Sequence, residues 1–212
     1  MFRYLATLAF AFSAVALGGT ADISKVNGSI VVEAGQQAGD VETVNGSISI
    51  GRGAHVDDVD TVNGSVRMDE QVIATSAESV NGEIAVGAQS EIRDDASTVN
   101  GALTLGKGAH VGGKLENVNG KLMLDGATVQ GGISTVNGDV YIATGSRVEG
   151  GIHVEKNSGW SMGRKPKNPR ITIESGAVVT GTLKFEREVD LYVGAGVALP
   201  PIEGVQPQKF QL

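Results

Sequence analysis

Val44-Asn45-Gly46-Ser47-Ile48-Ser49-Ile50-Gly51-Arg52-Gly53-Ala54-His55-Val56-Asp57-Asp58-Val59-Asp60-Thr61 is one complete unit of this chain, and its reading decides the fold. Ile48 and Ile50 alternate with Ser47 and Ser49, the period of a strand with one buried face. Gly51-Arg52-Gly53 permits a sharp bend. Val56 to Val59 forms a second side, and Asp60-Thr61 leads into the next Val-Asn-Gly. That tripeptide occurs seven times, with its Asn at 27, 45, 63, 81, 100, 119 and 137. The steps between them are 18, 18, 18, 19, 19 and 18 residues. The places of Ile48 and Ile50 are taken elsewhere by Ile30/Val32, Val66/Met68, Ile84/Val86, Leu103/Leu105, Leu122/Leu124 and Val140/Ile142. A fixed period near 18 on short alternating apolar runs marks a stacked β-solenoid.

Asn-Gly often closes a two-residue hairpin. Here the segments between Asn-Gly pairs are too long for a meander and carry a second bend. A coil returning to one corner on each circuit fits better, with parallel strands about 4.8 Å apart. The expected fold is all-β, a single-stranded parallel β-helix of about 18 residues per coil. Asn27, Asn45, Asn63, Asn81, Asn100, Asn119 and Asn137 should stack at one corner and bond up the column as a ladder. Asn tolerates, and Gly prefers, the left-handed backbone region expected at such a corner. Val44, Ile48, Ile50, Val56 and Val59 are the aliphatics expected to fill the interior of this coil.

Residues 1–21 read as a secretory signal: Arg3, then an apolar stretch from Leu5 to Leu17, then Gly19-Thr20-Ala21 before an expected cut. The stretch is shorter than the roughly 20 residues that span a bilayer. The product is expected to be exported, to the periplasm or the cell surface, with no transmembrane segment in the mature chain. The chain has no Cys, so disulfides and thiol chemistry are excluded. Its formal charge of −7 argues against a nucleic-acid partner, which calls for a basic face. Aromatics are only 4%, which suits a narrow interior filled by Val, Ile and Leu.

The solenoid is expected over 22–202, with seven Val-Asn-Gly coils and two or three without. Glu155 to Arg170 lacks strand alternation and reads as a loop inserted into a coil. It holds the only Trp, Trp160, with Lys156, Arg164, Lys165, Lys167 and Arg170, a local reversal of charge. A Trp beside cations can meet an anionic glycan, a lipid headgroup or a protein. Coils resume at Ile171 and reach Leu191-Tyr192-Val193. Pro200 and Pro201 are expected to stop strand pairing, leaving 203–212 as a tail. Uncapped ends would invite a second chain, so end-to-end self-association is also expected.

Ile50-Gly51-Arg52-Gly53-Ala54-His55-Val56, Leu105-Gly106-Lys107-Gly108-Ala109-His110-Val111 and Ile173 to Gly181 resemble the repeat of bactofilins. The repeated Thr/Ser-Val-Asn-Gly-Ser-Ile unit resembles the exported β-strand-repeat proteins described as adhesins. The first resemblance implies a right-handed, roughly triangular β-helix and polymer formation. The second implies a surface interaction protein of the bacterial envelope. A six-residue aliphatic spacing at Val44, Ile50, Val56, Val62 and Met68 also suits the left-handed helix of hexapeptide acyltransferases, but the 19-residue coils break it.

No catalytic, metal or cofactor site is expected. His55 and His110 occupy the same place three coils, roughly 14 Å, apart, and His153 lies at another corner. Asp57, Asp58 and Asp60, with Asp94 and Asp95, form acidic patches without the nonapeptide of calcium-binding β-rolls. A carbohydrate-active enzyme or a hexapeptide-type acyltransferase would need acid, base and cation gathered on adjacent coils, and none gather in the sequence.

Overall fold

The computed structural model describes residues 20–157 and 167–212. They form a parallel β-solenoid of ten rows with three faces and about 18 residues per coil. The first face begins with Ile23–Asn27 and Val41–Asn45 and ends with Ile202–Gly204; it has ten strands. The second, also ten-stranded, runs from Ile30–Val32 to Gln208–Gln211. The third is narrower, with six two-residue strands from Ile73–Ala74 to Val178–Val179. All pairing is parallel and register follows the repeat: Val41 pairs with Val59, Asn45 with Asn63, and Ile48 with Val66.

Alternation along each strand builds the interior. One coil sends inward Ile48 and Ile50 from the second face, Ala54 and Val56 from the third, and Val59 and Thr61 from the first. Ala54 and Thr61 are additions to the expected set, and Val44 leaves it. Val44 is half-exposed rather than internal, because it lies one residue past the inward Thr43 and the pleat turns it out. Its place is taken by a polar column, Thr43, Thr61, Ser79, Thr98, Asn117 and Thr135, all buried. The column becomes apolar at Val154 and Phe185, where the Val-Asn-Gly motif also stops.

Residues 203–212 do not form a free tail. Ile202–Gly204 pairs with Leu183–Phe185, and Gln208–Gln211 with Asp190–Val193, completing a tenth row. Proline loses only its donor; the Pro201 carbonyl still accepts from Leu183 N at 2.9 Å.

The 19-residue coils have a local cause. The corner between the third and first faces holds two residues in the early coils, as at Asp57-Asp58 between Val56 and Val59. From Arg93-Asp94-Asp95 onward it holds three, as in Gly112-Gly113-Lys114, Gln130-Gly131-Gly132 and Glu149-Gly150-Gly151. This widened corner changes the outer surface of the later rows.

Candidate functional site

The Asn column stands at the exposed corner between the first and second faces. Asn45 Nδ2 donates to Asn27 Oδ1 at 3.1 Å, Asn63 to Asn45 at 2.9 Å, and Asn81 to Asn63 at 3.1 Å. Asn100, Asn119 and Asn137 continue the chain at 3.0 Å each. Asn157, which the sequence reading placed in the inserted loop, adds a further rung to Asn137 at 3.1 Å. Each side-chain amide spends its outward polarity on the next one, so the column stiffens a corner rather than presenting an empty site.

Beneath the ladder, the buried hydroxyls hold the same corner from inside. Thr43 Oγ1 donates to the Gly28 carbonyl at 3.2 Å, Thr61 to Gly46 at 3.0 Å, Ser79 to Gly64 and Thr98 to Gly82 at 3.1 Å. The Thr/Ser-Val-Asn-Gly unit is therefore one device. The hydroxyl satisfies a carbonyl that the inter-coil ladder leaves over, and a buried acceptor left unpaired is costly. The glycine is required by close approach. A Cβ at Gly46, Gly64, Gly82 or Gly101 would collide with the glycine carbonyl one coil back. Left-handed backbone is not the general reason: of the seven motif glycines only Gly28 and Gly120 have positive φ, and no Asn does.

The insert departs from this corner, between strands Ile152–Val154 and Arg170–Ile173. Trp160, Arg164 and Lys165 lie outside the described residues. Lys156 is exposed, and its backbone N–H donates to Glu186 Oε2 at 3.2 Å. Lys167 Nζ lies 3.3 Å from Asp139 Oδ2, an exposed pair of small energetic value. The Arg170 guanidinium packs 4.9 Å from the centre of the Tyr192 ring, which stacks on Phe210 with centroids 4.7 Å apart. Lys167 and Arg170 thus anchor the base of the insert.

Arg187 was not singled out by the sequence reading. It lies two residues past Phe185, as Asn137 lies two past Thr135, and so takes the corner place in its row. Its Nη1 reaches back to Asn137 Oδ1 at 2.7 Å and the Val136 carbonyl at 3.1 Å, and Nη2 donates to the Lys167 carbonyl at 3.1 Å. Burial pulls the guanidinium below its ordinary pKa, but an Arg stays charged in proteins. One side chain thereby clamps the row that carries the insert.

On the outer side of the first face, Glu42, Asp60, Glu78 and Glu116 belong to one column, with Ser97 between the last two. Asp58 and Asp40 lie beside it. Burial pushes Asp60 up to about 7, with Glu78, Asp58, Glu42 and Asp40 adding repulsion. Its Oδ1 is buried without a hydrogen-bond partner. Glu42 and Glu78 are raised for the same reasons. Further along, Lys184 and His153 take over that column. Both contact Glu186, at 2.9 and 3.0 Å, and with the Lys156 N–H they hold its carboxyl down to about 2.

His55 and His110 share a column on the third face with Ile73 and Glu91 between them, as the period required. Among the described residues, no three His, Asp or Glu side chains converge where a metal could be held, and no helix is long and apolar enough to cross a membrane. Comparison of the chain with protein-family models, with curated proteins and with solved structures finds no match.

Proposed function

We propose that this chain is an exported, non-enzymatic rod, an adhesin-like scaffold and interaction protein of a bacterial envelope. The observation that carries this reading is the layout of the outer faces. Asn groups and, over the early rows, carboxylates repeat in columns along the axis, and where unlike groups meet on the later rows, Lys184 and His153 are both taken up by Glu186. Catalysis needs unlike groups within hydrogen-bond reach of one reacting atom; a stiff repeated surface suits contact over length. The signal-like start supports export. The insert 155–170, with Trp160 and its cations, is the contact we assign to an envelope glycan, lipid or protein.

The test is retention of the tagged chain on peptidoglycan, outer-membrane lipid and whole-envelope fractions. Retention on one of them is expected, reduced at least tenfold when Trp160, Arg164 and Lys165 are replaced by Ala. Unchanged retention of that variant removes the insert's role; no retention of the parent removes the envelope reading.

A second reading, bactofilin-like self-assembly through the ends, draws on the apolar groups there. Val26 and Val31 in the first row are 54% and 61% exposed, and Phe210 and Leu212 in the last are 40% and 60% exposed. Sedimentation showing only monomers over a wide concentration range would discard it.

A further inference from the structure

The widened corner of the later rows opens a groove of about 380 Å³ on the outside of the rod. It runs along the axis from the row of Lys114 and Glu116, past Ser134, His153 and Lys184, to Glu203. These are five successive rows of the first face, a length of roughly 19 Å at about 4.8 Å per step. In this size range concave sites hold small ligands. The floor is backbone at Gly131, Gly132 and Gly150, where a side chain would run into the adjacent coil. In earlier rows this corner holds only two residues, Asp57-Asp58 and Thr75-Ser76.

The wall of the groove is polar, and both of its ammonium groups have a carboxylate partner. Lys114 lies 3.9 Å from Glu116, an exposed and weak pair. Lys184 and His153 contact Glu186. Ser134 Oγ donates to Glu155 Oε1 at 2.9 Å. Carboxylates outnumber ammonium groups along the lining, Glu116, Glu155 and Glu203 against Lys114 and Lys184, so a phosphate or a polyanion finds no net attraction, and the two lysines in the wall oppose an oligolysine. What the wall offers is a mixture of donors and acceptors, several of them ionic: ammonium, imidazole, hydroxyl and carboxylate. Charged groups make the stronger hydrogen bonds to neutral partners. The partner that matches is a chain carrying both donor and acceptor on every unit and no charge of its own.

We propose that this groove binds a linear, uncharged, hydroxyl-rich polymer, a neutral glycan segment laid parallel to the rod axis. Its hydroxyls would bridge Glu116, Ser134, His153 and Lys184 in turn, one coil after another. Contact is shallow and without aromatic stacking, so affinity for a short oligomer is weak and grows with the number of rows spanned. The groove shares only Glu155 with the insert; its other walls come from the coils.

The experiment is an amide-resonance titration of the full chain with chitotetraose and cellotetraose, with tetralysine and a tetragalacturonate as charged counterparts. Resonances of Gly132, Ser134, Gly150 and His153 should shift with a neutral tetramer and shift less with its dimer. Ser134→Tyr, which fills the groove from a solvent-facing position, should weaken binding at least tenfold, while Ser49→Tyr on the second face should not. Should Ser134→Tyr melt early, Glu155→Gln serves as the second variant and should weaken binding severalfold. No shift with either neutral tetramer at millimolar concentration overturns the proposal. Tighter binding of tetralysine or tetragalacturonate, or shifts centred away from the groove, overturns it equally.

Discussion

Replacing Asp60 by Asn should make this protein more stable, and the size of the effect follows from the column around it. Asp60 is mostly buried among Glu42, Glu78, Asp58 and Asp40, and its carboxyl sits at about 7 against an ordinary 3.8. In the unfolded chain it releases its proton near 4. Between about pH 4 and 7 the folded state therefore holds a proton that the unfolded state has lost, and stability falls as pH rises through that window. A three-unit displacement corresponds to about 4 kcal/mol at pH 8, and roughly 2–3 kcal/mol of it develops between pH 5 and 8. Allowing for the exposed part of the side chain brings the second figure to about 2 kcal/mol. Asn keeps the shape, removes the charge, and supplies an N–H2 group to Glu42 or Glu78. Urea unfolding at pH 5 and 8 is the assay. The parent should be more stable at pH 5, the variant should gain about 2 kcal/mol at pH 8, and the pH dependence should flatten without vanishing because Glu42 and Glu78 remain raised. Asp125→Asn, the same change of charge on another face, controls for net charge. A parent more stable at pH 8 than at pH 5, or an Asp60→Asn protein weakened at pH 8, would refute the reasoning.

Thr98→Val should cost about 1–3 kcal/mol, since it leaves the Gly82 carbonyl buried without its hydroxyl donor; thermal melts should show Thr98→Ser recovering most of the loss. Asn81→Ala removes two rungs of an exposed ladder and should cost about 1 kcal/mol, read as a lowered midpoint in urea. Gly82→Ala should be worse than either, because backbone must move between coils, and limited proteolysis should find new cleavage near that corner. Arg187→Met should speed hydrogen exchange around Asn137 and Asn168–Ile171 severalfold while leaving the first four rows unchanged.

The rod itself was legible because its signal is periodic. Seven Asn at near-constant spacing place one corner, and the Ile48/Ile50 alternation fixes which side chains face in. The same alternation, counted along the first face from Val59, puts Thr61 inside; the hydroxyl column was readable, but a Thr beside Asp60 looks like a solvated lead-in. The reason for glycine at the corner was not readable. A positive φ and a neighbouring carbonyl at van der Waals range demand the same residue, and only coordinates separate them. Arg187 was hidden because its contacts lie two rows back, on Val136 and Asn137. Its one local sign is a cation at the corner place, between Glu186 and Glu188. The acidic patches were visible as composition, but the burial that raises Asp60 depends on how Glu42, Glu78 and Asp58 stack.

The departures from the repeat are coupled through the corner chemistry. From Thr43 to Thr98 the inner hydroxyls give each corner glycine carbonyl a donor; Asn117 interrupts the column with a buried Nδ2 that has no partner, and Thr135 donates to Asn117 Oδ1 instead. At Val154 the hydroxyl is gone. The coil at that point no longer needs its neighbour at the glycine distance, and the insert leaves from there. The released corner is then reclaimed by a longer donor: Arg187 spans the inserted row to reach the Val136 carbonyl. The third corner gains its extra residue at Arg93-Asp94-Asp95 and its glycines one row later, from Gly112 onward. Charge follows as well, with fourteen acidic and five basic residues over 22–112 against ten and eleven over 113–212. A sheet face cannot accept an insertion without breaking its ladder on both sides, whereas a corner can. New binding features on this rod therefore belong at corners, and both candidates, the insert and the groove, arise there.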